Sequence, residues 1–189
     1  MNTKRLKIIA IISMLIDHIP RIIPWQLWVA IADSLAILFP GKEELISDIV
    51  IDIIPGIMGF VGRLAAPIFM FCITVGFRYT KDIKKYILRV FTFALISQIP
   101  YILFIQSEEY ASGFSKLEVT PFYKIDLNIM FTLGLGLVAL YFYEKLKDKN
   151  IIIRLTPIMA AVLISYILNT EGSYVYIIYI FMFYLLRDV

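Results

Sequence analysis

Asp17 and His18 stand side by side in an apolar run that begins at Leu6, and His18 is the only histidine in the chain. An imidazole titrates near neutrality, so it can take and return a proton. A neighbouring carboxylate can orient the ring for general-base work, although adjacent residues on a helix point about 100° apart. Ionisable groups at the centre of a membrane helix carry a penalty of about 2.5–3.5 kcal/mol, so they face a bundle interior and by default serve a function. Ser13, four residues before Asp17, shares its face. Arg63 can hold a phosphate or carboxylate through paired N–H donors, and it is also a possible ionic partner for Asp17. Gln98, Asn128 and Thr132 are hydrogen-bonding residues in later apolar stretches. Asn128 and Thr132, one helical turn apart, can donate to a developing oxyanion.

Each of these residues has a plainer reading. His18 can make a structural hydrogen bond inside a bundle. Asp17 and Arg63 can form a buried ion pair that fixes helix register. Gln98, Asn128 and Thr132 can tie helices together. The single cysteine, Cys72, lies in an apolar stretch and reads as packing rather than as a nucleophile.

The elements that must position these residues follow from composition. The chain has 189 residues, 60% of them hydrophobic and only 17% charged, and its mean hydropathy is +0.83. Such a profile exceeds that of ordinary globular domains and predicts an all-α, polytopic membrane helical bundle of about six to eight transmembrane helices. The length allows one integral membrane domain, 1–189. Candidate spans are 6–23, 56–77, 86–105, 127–143, 151–168 and 174–186, each near the length a helix needs to cross about 30 Å of hydrocarbon. Residues 24–55 are ambiguous: an interfacial or re-entrant hairpin, or two short spans. The basic start resembles a signal peptide, but Asp17, His18 and Pro20 interrupt the apolar core and no small-residue cleavage site follows, so a retained first span is expected.

Loop charge sets the expected orientation. Lys4, Arg5 and Lys7, then Arg78, Lys81, Lys84, Lys85 and Arg89, then Lys145, Lys147, Lys149 and Arg154 alternate with poorly basic loops. Those basic segments are expected on the cytoplasmic side, with both termini. The 106–126 connection, with Glu108, Glu109, Glu118 and Asp126 against Lys116 and Lys124, is expected outside. Asp17, His18, Arg63, Gln98, Asn128, Thr132, Asn169 and Glu171 then share the outward leaflet, which suggests a polar cavity open to that side. The net charge of +3 sits in short loops, so membrane lipid is an expected partner and nucleic acid is not.

No phosphate loop, dinucleotide glycine fingerprint or zinc-spaced His/Cys set is present. The more specific reading comes from resemblance. The opening from Leu6 to Asp17-His18 is similar to that of the TraX family. Three further blocks resemble the family in order: Gly62-Arg63-Leu64-Ala65-Ala66-Pro67-Ile68-Phe69 running to Gly76-Phe77-Arg78-Tyr79-Thr80, then Tyr86 to Pro100 with Leu-Ile-Ser-Gln-Ile-Pro, then Asn128-Ile129-Met130-Phe131-Thr132-Leu133. The resemblance implies a multi-pass acetyltransferase of the bacterial inner membrane. Its acyl donor would be acetyl-coenzyme A, and its acceptor an amine or hydroxyl on the extracytoplasmic side, on a peptide or cell-envelope molecule. It further implies His18 as base, Asp17 as its partner, and Arg63, Gln98, Asn128 and Thr132 as substrate-binding lining, with no metal. Two features depart from the family pattern. A second histidine past the last span has no counterpart before Val189, and Asn169-Thr170-Glu171-Gly172-Ser173-Tyr174 stands where the family tends to show Asp-Tyr-Gly. Two non-enzymatic alternatives remain: a small proton-coupled transporter using Asp17, His18, Arg63 and Glu171 as a relay, and a membrane scaffold.

Overall fold

The structure is a computed structural model that describes residues 3–111 and 126–186. Lys116, Glu118 and Lys124 of the 106–126 connection therefore lie outside the described residues. Among the described residues all regular structure is helical: α1 (Thr3–Ile22), α2 (Trp25–Leu38), α3 (Glu43–Ser47), a π-helical segment (Asp48–Ile53), α4 (Ile54–Gly62), α5 (Ala65–Tyr79), α6 (Ile83–Ala111), α7 (Ile129–Lys145), α8 (Ile151–Ile167) and α9 (Ser173–Leu186). Two helical stretches, Glu43–Tyr79 and Ile83–Ser107, are long and apolar enough to cross a membrane; Trp25–Leu38, Ile151–Ile167 and Ser173–Leu186 are apolar but shorter.

The fold is an all-helical membrane bundle, and its side-chain distribution shows why. Buried positions on α1 are Ala10, Ser13 and Asp17, whereas Ile8, Ile9, Ile11, Ile12, Leu15 and Ile19 are exposed. In water that arrangement would leave large hydrocarbons unburied, but hydrocarbon outside with small and polar groups inside is what a lipid solvent selects. Helices also carry Pro20, Pro100 and Pro157 in their interiors. A bundle in lipid tolerates such breaks because neighbouring groups satisfy the freed carbonyls.

The ambiguous 24–55 region is largely helical, with α2 followed, after a turn at 39–42, by α3 and the π segment. α2 packs on α3 and on the π segment. Pro55 stands two residues past that segment, in the first turn of α4; it has no N–H to donate to the turn before it, where the helix is widened. The expected span 56–77 is two helices, α4 and α5, parted by a turn at Arg63–Leu64.

The chain forms two compact units, Met1–Ala66 with Leu103–Thr120, and Pro67–Ile102 with Pro121–Val189. In the first, α1 packs against α4, with Ser13 and Asp17 set on Gly59 and Gly62. Without side chains, these glycines let the two backbones approach closely. In the second unit, α7 is the central helix: Leu133, Gly134, Gly136, Leu137, Ala139, Leu140 and Tyr143 are all buried. Gly134 lies against Phe91 of α6, Gly136 against Ile180 of α9, and Ala139 and Tyr143 join Ile158, Ala161 and Ile177 in one apolar cluster. One end of this unit is charged. Arg78 donates to the Tyr184 carbonyl at 3.0 Å, Tyr184 donates its hydroxyl to Glu144, and Arg154 lies 3.5 Å from Glu144 and 4.0 Å from the centre of the Tyr143 ring. Arg78 of the first basic segment and Arg154 of the last both reach this cluster.

Candidate functional site

The polar residues singled out from the sequence fall into two groups, one in each unit. In the first unit the spacing of α1 does the positioning. Ser13, Asp17 and Arg21 recur every four residues and so line one face. Ser13 donates its hydroxyl to the Val61 carbonyl at 2.5 Å, which pins α1 to the last turn of α4. Asp17, only 8% exposed, lies over Gly62, where an added Cβ would overlap its own Cβ. Its charge is balanced by Arg21, one guanidinium nitrogen lying 2.9 Å and 3.1 Å from the two carboxylate oxygens. Arg21, not Arg63, is thus the cation on Asp17.

Arg63 is the partner the sequence suggests across helices, whereas the four-residue spacing of Asp17 and Arg21 is the signal for the pair that forms. Arg63 is the C-cap of α4, with its backbone N–H on the Gly59 carbonyl at 3.1 Å and its side chain exposed.

His18 turns its Nδ1 toward Asp17 Oδ2 at 3.4 Å, beyond good hydrogen-bond geometry. That nitrogen is buried and has no hydrogen-bond partner among the described residues. The ring itself is partly exposed and lies on Phe104, with centroids 4.4 Å apart. Phe104 carries no signal in the sequence. The result is an imidazole with one nitrogen faced by a carboxylate that is itself paired with Arg21, and one face covered by an aromatic ring. Catalytic hydrogen bonds are often long before substrate binds, so 3.4 Å suits a carboxylate that orients the ring.

The second group closes the end of the second unit opposite the charged cluster. Asn128 is the N-cap of α7. Its Oδ1 accepts the Met130 N–H at 3.0 Å, and its Nδ2 donates to the Ala94 carbonyl at 2.9 Å and to Gln98 Oε1 at 2.7 Å. Gln98 in turn accepts from the Asn128 N–H at 3.0 Å and donates to the Asp126 carbonyl at 3.1 Å. Thr132, fully buried, donates to the Glu171 carbonyl at 2.6 Å, and a Glu171 carboxylate oxygen accepts the Ile129 N–H at 3.1 Å. Ser165 and Thr170 share a hydroxyl contact of 2.6 Å. Glu171 meets orphan N–H groups at the positive end of the α7 dipole, where a carboxylate is favoured.

This network satisfies its own members. Both Nδ2 bonds of Asn128 are committed to α6 and the hydroxyl of Thr132 to the turn before α9, which is how ties between elements look. The group around His18 differs in holding a buried ring nitrogen with no hydrogen-bond partner among the described residues.

The model for the TraX protein family matches residues 2–189, nearly the whole chain. The chain belongs to the TraX family. No curated protein and no solved structure matches it. In this TraX-family chain, the opening with Asp17-His18 supplies the candidate acid–base group, and the block around Gly62-Arg63 supplies the surface against which Asp17 is packed. The Asn128–Thr132 block is the capped start of the central helix.

Proposed function

We propose that this TraX-family chain is a membrane acyltransferase that moves an acetyl group from acetyl-coenzyme A to an amine or hydroxyl of an acceptor reached from the extracytoplasmic side of the cell membrane. Family membership supports the reaction class. The observation that carries the site is the buried Nδ1 of His18 facing Asp17, in a chain with no other histidine.

In this mechanism Asp17 Oδ2 holds the proton-bearing Nδ1, so that Nε2 is left as the base. Nε2 removes the proton from the acceptor amine or hydroxyl as it attacks the thioester carbonyl. A bond forms from the acceptor nitrogen or oxygen to the acetyl carbon, the C–S bond breaks, and the imidazolium returns its proton to the departing thiolate. Arg21 balances the Asp17 charge, and Phe104 holds the ring plane. Arg63, exposed beside this group, is the cation offered to an anionic part of donor or acceptor. Both termini lie on the cytoplasmic side, as the basic loops favour.

The test is transfer or slow hydrolysis of labelled acetyl-coenzyme A by purified protein. His18→Gln should lower the rate by about 10²- to 10⁴-fold, the usual worth of a positioned acid–base group. Arg63→Ala should weaken saturation and leave the bound rate close to wild type. An unchanged rate in His18→Gln removes the mechanism, and proton-linked uptake without thioester chemistry would favour a carrier.

A further inference from the structure

The start of α6 has no part in the site around His18. A shallow, open groove of about 450 Å³ lies along its exposed face, lined by Lys85, Leu88, Arg89, Thr92 and Phe93 of this one helix. Their spacing of three and four residues makes one stripe down a single helix face. The stripe is graded: two cations at the helix start, then apolar side chains. The same face continues through Leu95, Ile96 and Ile99, each more than 60% exposed.

Those side chains belong to one of the two stretches long and apolar enough to cross a membrane. Exposed hydrocarbon there meets lipid tails, so the cations above it stand at headgroup depth. Asp82 caps the helix start and pairs with Lys85 at 3.2 Å, but Lys81, Lys84 and Arg89 leave the segment clearly positive. A zwitterionic headgroup would bring its own ammonium against these cations, whereas an anionic one would not. From Arg89 to Ile99 the helix rises about 15 Å, half the roughly 30 Å hydrocarbon thickness, so an acyl chain of one leaflet can lie along it.

We propose that this groove binds one anionic phospholipid, with its phosphate on Arg89 and Lys85 and one acyl chain along Leu88, Thr92 and Phe93. Orientation of the protein by its positive charges needs no such arrangement, since a diffuse basic loop does that equally well. The graded stripe makes this loop a binding site as well as a topology signal.

The experiment is native mass spectrometry of the intact protein titrated with phosphatidylglycerol or with phosphatidylcholine of the same chains. Wild type should retain phosphatidylglycerol more tightly. Replacing Lys85 and Arg89 together with Gln should weaken it by about fivefold per charge removed, and Arg89→Lys alone, which keeps both charges, should retain most of the wild-type affinity. Replacing Lys147 and Lys149 with Gln, on the other basic loop, should change retention little. All these side chains are exposed, and an unchanged melting temperature in each variant confirms folding. Equal retention of the two lipids, or equal loss in the two double variants, would overturn the proposal. So would displacement by inorganic phosphate alone, which would make the groove a site for free anions.

Discussion

Two polar groups in this molecule look alike in sequence and differ in what their atoms are doing. Around Asn128, donors and acceptors meet one another across α6, α7 and the turn before α9: both amide bonds of Asn128, its Oδ1, the Thr132 hydroxyl and a Glu171 carboxylate oxygen are engaged. Around His18 an ion pair, Asp17–Arg21, stands beside an imidazole nitrogen that is buried with no hydrogen-bond partner among the described residues. Native proteins leave few buried polar atoms unsatisfied, and the exceptions call for a reason. A saturated network fixes structure, and the unsaturated one, beside the Asp17–Arg21 pair, is where the proposed chemistry is placed.

The comparison is broken most severely at Asn128. Asn128→Ala removes an N-cap worth about 1 kcal/mol and two interhelical bonds worth about 1 kcal/mol each, so thermal unfolding in detergent should show a loss of about 3 kcal/mol. Next comes Gly62→Ala, which forces a methyl group into Asp17 and should cost about 2 kcal/mol by overpacking while moving α1 away from α4. Thr132→Val, which removes the 2.6 Å bond to Glu171 but keeps the shape, should cost about 1 kcal/mol in the same assay. His18→Gln belongs at the other extreme, with a melting temperature near wild type. A destabilisation as large as that of Asn128→Ala would show His18 to be structural after all.

The smallest effect concerns Asp82 at the start of α6, outside both groups. The Lys85 N–H bond, helped by the Lys85 ammonium, holds this exposed carboxyl below its usual value of 3.8. A depressed folded-state value means that its contribution is fully present above the unfolded value and is lost as pH falls through the lower folded one. The protection of amides in the first turn of α6, taken relative to their intrinsic exchange rate at each pH, should therefore be flat from neutrality down to about pH 4 and fall only below it. In Asp82→Asn that acid-dependent loss of protection should disappear.

The sequence disclosed the class of fold and most helices because hydrocarbon thickness leaves little freedom in helix length, and α1, α6, α7, α8 and α9 lie close to the expected spans. It left 24–55 open because a short apolar piece, an acidic turn and an amphipathic piece fit several arrangements; the widened turn ahead of Pro55 depends on local backbone geometry that hydropathy does not report. The break at Arg63–Leu64 was hidden for the same reason, since α4 and α5 read as one apolar run.

Within the candidate site, Asp17 and His18 stood out by their rarity in hydrocarbon. Arg21 was legible in principle from its four-residue spacing, and Phe104 was not, because nothing distinguishes it from the other aromatic residues of an apolar helix. Asn128 and Thr132 were read both as donors to an oxyanion and as ties between helices. Only the partners of their hydrogen bonds separate these uses, and the partners are backbone carbonyls and Gln98.

The central claim, that chemistry resides with His18 and structure with Asn128, is tested most directly by acetyl transfer per folded molecule in His18→Gln and Asn128→Ala, measured with labelled acetyl-coenzyme A. The account predicts a fall of at least about 100-fold for His18→Gln, and a rate within a few-fold of wild type for the folded fraction of Asn128→Ala. The reverse pattern, with His18→Gln active and folded Asn128→Ala inert, would contradict it.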